Sequence, residues 1–339
     1  GTWVLRGGTI QGGVLDIAAG EVLEMTNSSN RLQGLTVNGD LNLGASTSVV
    51  VKDLVLNGTA TLADNSYIGF DGTQRLDGQA RIVFNAGNNY AHLEMAGAGT
   101  LTLGAQVQVR GSSGAFGYNG RFNQAMALIN EGTISADVAN HGILFGGSER
   151  LTSFTNKGTL VASNGGSLSE QATAFANEGS TRIGAGSVLE IYSNNWTSVG
   201  ELIDNGGTIN LYGTWRTAGF AGFTHTAGSV NFYGTVDNTG STLALGATAG
   251  QWVLRGATIK GGVLDIAAGE VLEMTNNFSN RLQGLTVNGD LSLGGSAVVV
   301  VKDLVLNGTA TLGDNSSIGF EGTQRLDGQA RIVFNAGNN

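Results

Sequence analysis

The sequence predicts an all-β chain: a right-handed parallel β-helix (β-solenoid) with about 20–28 residues per coil. Three observations carry this expectation. Apolar residues fall in apolar-x-apolar pairs, Gly and Asn punctuate them at short intervals, and the end of the chain repeats its beginning. Residues 1–89 open GTWVLRGGTIQGGVLDIAAGEVLEMTN, and residues 250–339 open GQWVLRGATIKGGVLDIAAGEVLEMTN. One residue is inserted near Asn277 in the second copy. Internal repetition marks solenoids and arrays, so the chain reads as a window on an array with a period of about 250 residues. In such an array Asn339 would be followed by a counterpart of Tyr90.

The strands come first. Leu15/Ile17, Leu23/Met25, Leu35/Val37, Leu41/Leu43, Leu54/Leu56, Ile82/Phe84, Leu93/Met95, Leu101/Leu103 and Val107/Val109 flank residues such as Asp16, Glu24, Asn42, Glu94 and Gln108. Period-two alternation is the mark of a strand with one face buried and one wet. The turns come next. Asn38-Gly39, Asn57-Gly58, Asn164-Gly165 and Asn205-Gly206 tolerate positive φ and let the chain bend sharply. A motif Asn-x-Gly-Thr/Ser-apolar recurs at Asn130, Asn156, Asn177 and Asn205, with spacings of 26, 21 and 28 residues. Such spacing suits one coil, with the same corner residue stacking in successive coils. At ~20 residues per coil and ~4.8 Å between coils, the chain would make roughly 15 to 17 coils in a rod on the order of 75 Å long.

Two segments break the rhythm. Residues 111–123 (GSSGAFGYNGRFN) read as a lateral loop. Residues 123–130 (NQAMALIN) read as a strand preceded by a loop, with one or two helical turns as the alternative. No linker is visible, so residues 1–339 read as one continuous solenoid. The two copies differ at Gln11/Lys260, Asn42/Ser292, Thr47/Ala297, Ser48/Val298, Ala63/Gly313, Tyr67/Ser317 and Asp71/Glu321, while the apolar positions are unchanged. A fold constrained by its packing drifts in this way.

Composition narrows the function. There are 56 Gly, no Pro and no Cys, with 13% charged residues and 41% hydrophobic. A Pro-free chain fits strand nearly throughout, because Pro cannot donate to a ladder. A net charge of −9 lacks the basic footprint of a nucleic-acid partner. No apolar run approaches the ~20 residues of a membrane helix, so no membrane insertion of this segment is expected. The absence of Cys excludes disulfides and thiolate metal sites.

No chemical constellation stands out, and neither a catalytic, a cofactor-binding nor a metal-binding residue is expected. His92, His141 and His225 are far apart and lack partners at metal-ligand spacing. Asp53, Asp64, Asp71 and Asp77 read as isolated acids on polar faces or in turns, and the calcium-binding nonapeptide GGxGxDxUx is absent. Asp16, Glu21 and Glu24, recurring as Asp265, Glu270 and Glu273, are the densest acidic group. They read as a solvated strand face more readily than as the converging pair that glycoside cleavage needs. Trp3, Trp196, Trp215 and Trp252 read as core or corner packing, with sugar stacking as the alternative. Asn-x-Ser/Thr triplets begin at Asn27, Asn57, Asn195, Asn277, Asn307 and Asn315 and permit glycosylation.

The apolar-x-apolar strands, the corners Asn130 to Ile134 and Asn156 to Leu160, and the Pro- and Cys-free composition resemble the repeat regions of giant secreted bacterial surface proteins. The filamentous-haemagglutinin-like and autotransporter-type β-helices are the nearest groups. That resemblance implies an extracellular fibre or stalk at the cell surface, in adhesion, sheath or biofilm matrix. Its partners would be copies of itself along a fibre axis, and surface glycans through lateral loops if it acts as an adhesin. A polysaccharide-cleaving β-helix is the enzymatic alternative. The resemblance supplies no catalytic residues, and near-identical copies favour a regular filament.

Overall fold

Strands stack because inward-facing apolar residues repeat coil after coil at the same place in the ladder. In the computed structural model, which describes residues 2–118, 120–220, 222–246, 249–335 and 337, the chain is nearly all β. Gly1 and Asn339, the outer limits of the two copies, lie outside the described residues. The parallel strands form a β-solenoid of about 16 turns. Among the described residues the only helical element is a single 3-10 turn, Thr217–Gly219. The chain divides into two compact units, Gly1–Leu189 and Glu190–Asn339. The division falls inside the strand Val188–Ile191 and not at a linker.

In the first unit one interior column runs Leu23, Leu41, Ala60, Ile82, Val109, Ile134, Leu160, each the ladder partner of the next. All seven are buried. Their registers advance by 18, 19, 22, 27, 25 and 26 residues. The shortest coils are tighter than the sequence suggested. There the long strands Asn30–Asn38 and Ser48–Asn57 absorb their corners in single residues of positive φ, Gly34 at 57° and Asp53 at 49°. Burying each aliphatic side chain of such a column stabilises by about 1.5–3 kcal/mol. Aromatic rings fill the wider coils: Phe116, Phe145 and Phe154 follow one another at centroid distances of 5.2 and 4.6 Å.

In the second unit the corresponding column is Ile209, Val230, Trp252, Leu272, Leu291, Ala310, Ile332. The repeated sequence rebuilds the repeated structure. Leu41–Ala60 and Leu291–Ala310 are both 19-residue steps, and Ala60–Ile82 and Ala310–Ile332 are both 22-residue steps. The inserted residue lengthens one step from 18 to 19 and is absorbed in a turn, where Phe278 is exposed. The buried amides flanking that turn still match. Asn30 accepts from Gly7 N–H and donates to Ser48 O, as Asn280 accepts from Gly256 N–H and donates to Val298 O.

The Asn-x-Gly-Thr corner has a specific construction. The backbone carbonyl of Asn130 accepts from both Lys157 and Gly158 N–H, at 2.7 and 2.9 Å. The carbonyl of Asn156 accepts likewise from Glu178 and Gly179, at 2.8 Å each. The Asn side chains turn inward and form a ladder: Asn130 Nδ2 donates to Asn156 Oδ1 and Asn156 Nδ2 to Asn177 Oδ1, both at 2.8 Å. Gly is needed because the coil below is too close for a side chain. A Cβ at Gly158 would lie 2.1 Å from Gly132 O, and one at Gly179 would lie 2.2 Å from Gly158 O. Asn205 does not join this ladder. It lies within the long strand Glu201–Leu211, opposite Ala227, and its neighbour Asp204 takes the buried position.

The expected lateral loop is shorter than residues 111–123. Gly114–Phe116 is a fully buried strand paired to Ala91–Leu93 below and Ile143–Phe145 above. Among the described residues, 118 and 120–124 lie outside the strands, and Met126–Asn130 is the expected strand.

Candidate functional site

Most acids singled out in the sequence hold corners. Asp64 Oδ1 accepts the backbone N–H groups of Gly87, Asn88 and Asn89. Asp77 pairs with Arg75 at 2.8 Å. Asp53 sits at positive φ with its N–H donated to Gln74 Oε1, and Asp303 repeats this with Gln324. Asp16 accepts from Asn38, which in turn accepts from Asn57. Asp265, Asn288 and Asn307 form the same outer ladder in the second copy. The Asn57 and Asn307 side chains, although exposed, are each engaged in this outer ladder. No group of three or more His, Cys, Asp or Glu converges among the described residues.

Two histidine–carboxylate pairs are buried instead. The first is His92 with Glu94, on the strand Ala91–Gly97. Alternation should turn both outward, yet they are 4% and 2% exposed. Tyr118 and residues 120–122 cover them. Glu94 Oε2 accepts from the N–H of Phe122 at 3.0 Å, and the backbone N–H of Arg121 also bonds the carboxylate. A side chain at Gly120 would collide with Glu94 Oε1. Arg150 donates to the carbonyl of Asn123 and pins the loop. Tyr67 stacks on His92 at 4.6 Å, and Tyr118 lies parallel to it at 6.4 Å. His92 Nδ1 stands 3.4 Å from Glu94 Oε1.

Burial pushes the Glu94 carboxyl up to about 7, against the opposing pull of the Phe122 and Arg121 N–H groups and the Arg150 charge. Burial pushes His92 down to about 4. The pair is therefore held mostly as neutral imidazole beside a protonated carboxyl in mildly acidic solution. Tyr67 is raised by burial and by the nearby Glu94.

The second pair is Asp204 with His225. Asp204 Oδ2 meets His225 Nδ1 at 2.8 Å, and Asp204 Oδ1 accepts the N–H of Gly207 at 2.8 Å. A carboxylate on Nδ1 orients an imidazole as in hydrolytic triads. Here, however, Nε2 faces Gly250 so closely that a Cβ there would lie 2.3 Å away. His225 is packed between Phe223 and Trp252. His141 lies elsewhere, its Nδ1 3.0 Å from Ser113 Oγ.

Of the tryptophans, Trp196, Trp215 and Trp252 are 3% exposed, as packing residues should be. Trp3 is 70% exposed, although its counterpart Trp252 is buried against the Phe232 ring. Tyr192, Tyr212 and Tyr233 were not anticipated. They stack at 4.2 and 4.5 Å on the outer face, so each covers its neighbour's ring plane. Their spacing of 20 and 21 residues was the available signal.

The fold defines the chain as a β-solenoid repeat protein. No family model, curated protein or solved structure matches it.

Proposed function

We propose that this chain is a structural segment of a long, secreted bacterial surface fibre, with copies of the same sequence as its partners along the axis. The observation that carries the reading is the second copy. The same residues rebuild the same coils, registers and corners about 250 residues on, which is what a filament extended by sequence repetition requires. Stability in such an object is a sum over neighbouring coils, so each added coil contributes its own share. In this reading the chain performs no catalysis, and both buried histidine–carboxylate pairs serve to fix loops and corners.

Chains carrying one, two and three complete repeats test the proposal. Their contour length in electron micrographs should grow in proportion to repeat number. A particle whose longest dimension stays constant would remove the filament reading.

A further inference from the structure

The second unit contains a cavity that neither packing nor the filament role explains. The strand Thr242–Leu245 is the edge of a four-stranded parallel sheet. Beside that edge the cavity is bounded by Thr217 of the 3-10 turn and by Phe220, Gly222 and Phe223. A tight turn does not fill the width that a strand would. The space left is about 220 Å³.

Its walls are aromatic and aliphatic. Phe220, Phe223, Phe232 and Trp252 supply rings, and Val230 and Leu243 close it from the interior. Phe220 and Phe223 are half-buried and Gly222 is exposed, so these residues line the open side. Two wall residues bring buried polar atoms with no hydrogen-bond partner, Thr217 Oγ1 and Trp252 Nε1. Thr217 is 8% and Trp252 3% exposed. Leaving such groups unpaired costs about 1–3 kcal/mol each. Among the described residues no charged side chain lines the space. A single ordered water, at ~30 Å³, would leave most of the volume unfilled, and apolar cavities near 150 Å³ take up benzene-sized molecules.

We propose that this cavity binds a small, uncharged, single-ring molecule carrying one oxygen, of the phenol or benzyl-alcohol class. The ring packs among the aromatic walls. The oxygen accepts from Trp252 Nε1–H or exchanges a hydrogen bond with Thr217 Oγ1.

Fluorine-observed NMR of the full chain with 4-fluorophenol and fluorobenzene tests this. Both probes should bind saturably, and 4-fluorophenol should bind about three- to tenfold more tightly, the worth of one hydrogen bond. Thr217→Val should reduce that preference without weakening fluorobenzene. Leu243→Phe should abolish binding of both by filling the space. If Leu243→Phe does not fold, Trp252→Phe replaces it: it keeps a ring in the wall and should lower the preference for the phenol. Absence of saturable binding at millimolar probe would overturn the proposal, as would unchanged binding in a folded Leu243→Phe chain. Equal affinity for the two probes would overturn the polar part of the assignment.

Discussion

Replacing Asn156 by Ala breaks the inner amide ladder at its middle rung. Asn156 is fully buried. It accepts from Asn130 Nδ2 at 2.8 Å and donates to Asn177 Oδ1 at 2.8 Å and to Ser180 O at 3.3 Å. The loss is softened on both sides. Asn130 Nδ2 keeps longer contacts to Gly132 O and Thr159 O, and Asn177 Oδ1 keeps the Thr181 hydroxyl. At about 1 kcal/mol net per bond, with part of a desolvation penalty added, the cost is about 2–4 kcal/mol. Asn57→Ala is the control. It removes a similar rung, 2.9 Å to Asn38 Oδ1 and 3.1 Å from Gln79 N–H, but at an exposed corner where water replaces it. Its cost should stay under about 1 kcal/mol. Because a solenoid is coupled coil to neighbouring coil, the damage should be local. Hydrogen exchange should show protection falling about 30- to 1000-fold across residues 126–184 in Asn156→Ala, with residues 31–60 unchanged. Equal effects of the two substitutions, or a loss of protection spread evenly over the chain, would refute the reasoning.

Gly158→Ala drives a Cβ into the backbone of the coil below and should cost at least 2 kcal/mol or so, whereas Gly87→Ala, with nothing within 4 Å, should be near neutral; thermal melts of the two variants check this. Trp252→Ala should cost about 3–5 kcal/mol and Trp3→Ala almost nothing in this chain. Placing a complete repeat ahead of Trp3 should raise its cost to that of Trp252, measured by denaturant unfolding. The His92–Glu94 pair sets a pH optimum. Glu94 is raised to about 7, so its contribution is present at low pH and lost as pH rises through 7. His92 is lowered to about 4, so its contribution is present above its ordinary value near 6.5 and lost as pH falls toward 4. Between about 4.5 and 6.5 the two slopes oppose each other, and exchange protection of Arg121 and Phe122, whose N–H groups bond Glu94, should be greatest there. Glu94→Gln should remove the fall in protection between about pH 6.5 and 7, leaving a rise from about pH 4 to a plateau above about 6.5.

The sequence showed the strands, because apolar-x-apolar pairs such as Leu41/Leu43 occupy the interior columns. It showed the corner at Asn130, Asn156 and Asn177, because a motif kept at coil spacing must stack. It misplaced Asn205, where a locally identical string sits inside a strand that bends around Asp204. It also put Glu94 on the wet face of its strand. Alternation assigns a face relative to the ladder, and it is blind to a later loop that covers the outer face. The cluster Tyr90, Tyr118 and Phe122 was the available hint. The extent of the lateral loop was misread because Gly114–Phe116, with two small residues, lacks the usual strand signature. Gly114 is small because Phe84 lies beneath it, with its ring 2.0 Å from where a Cβ would be. Such a reason lives in the neighbouring coil and not in the local sequence.

The most direct test of the fibre proposal is electron microscopy and fibre diffraction of the native material, without recombinant truncation. Long unbranched fibres with an axial spacing near ~4.8 Å are expected. Discrete short particles, or an axial repeat unrelated to the strand spacing, would contradict it.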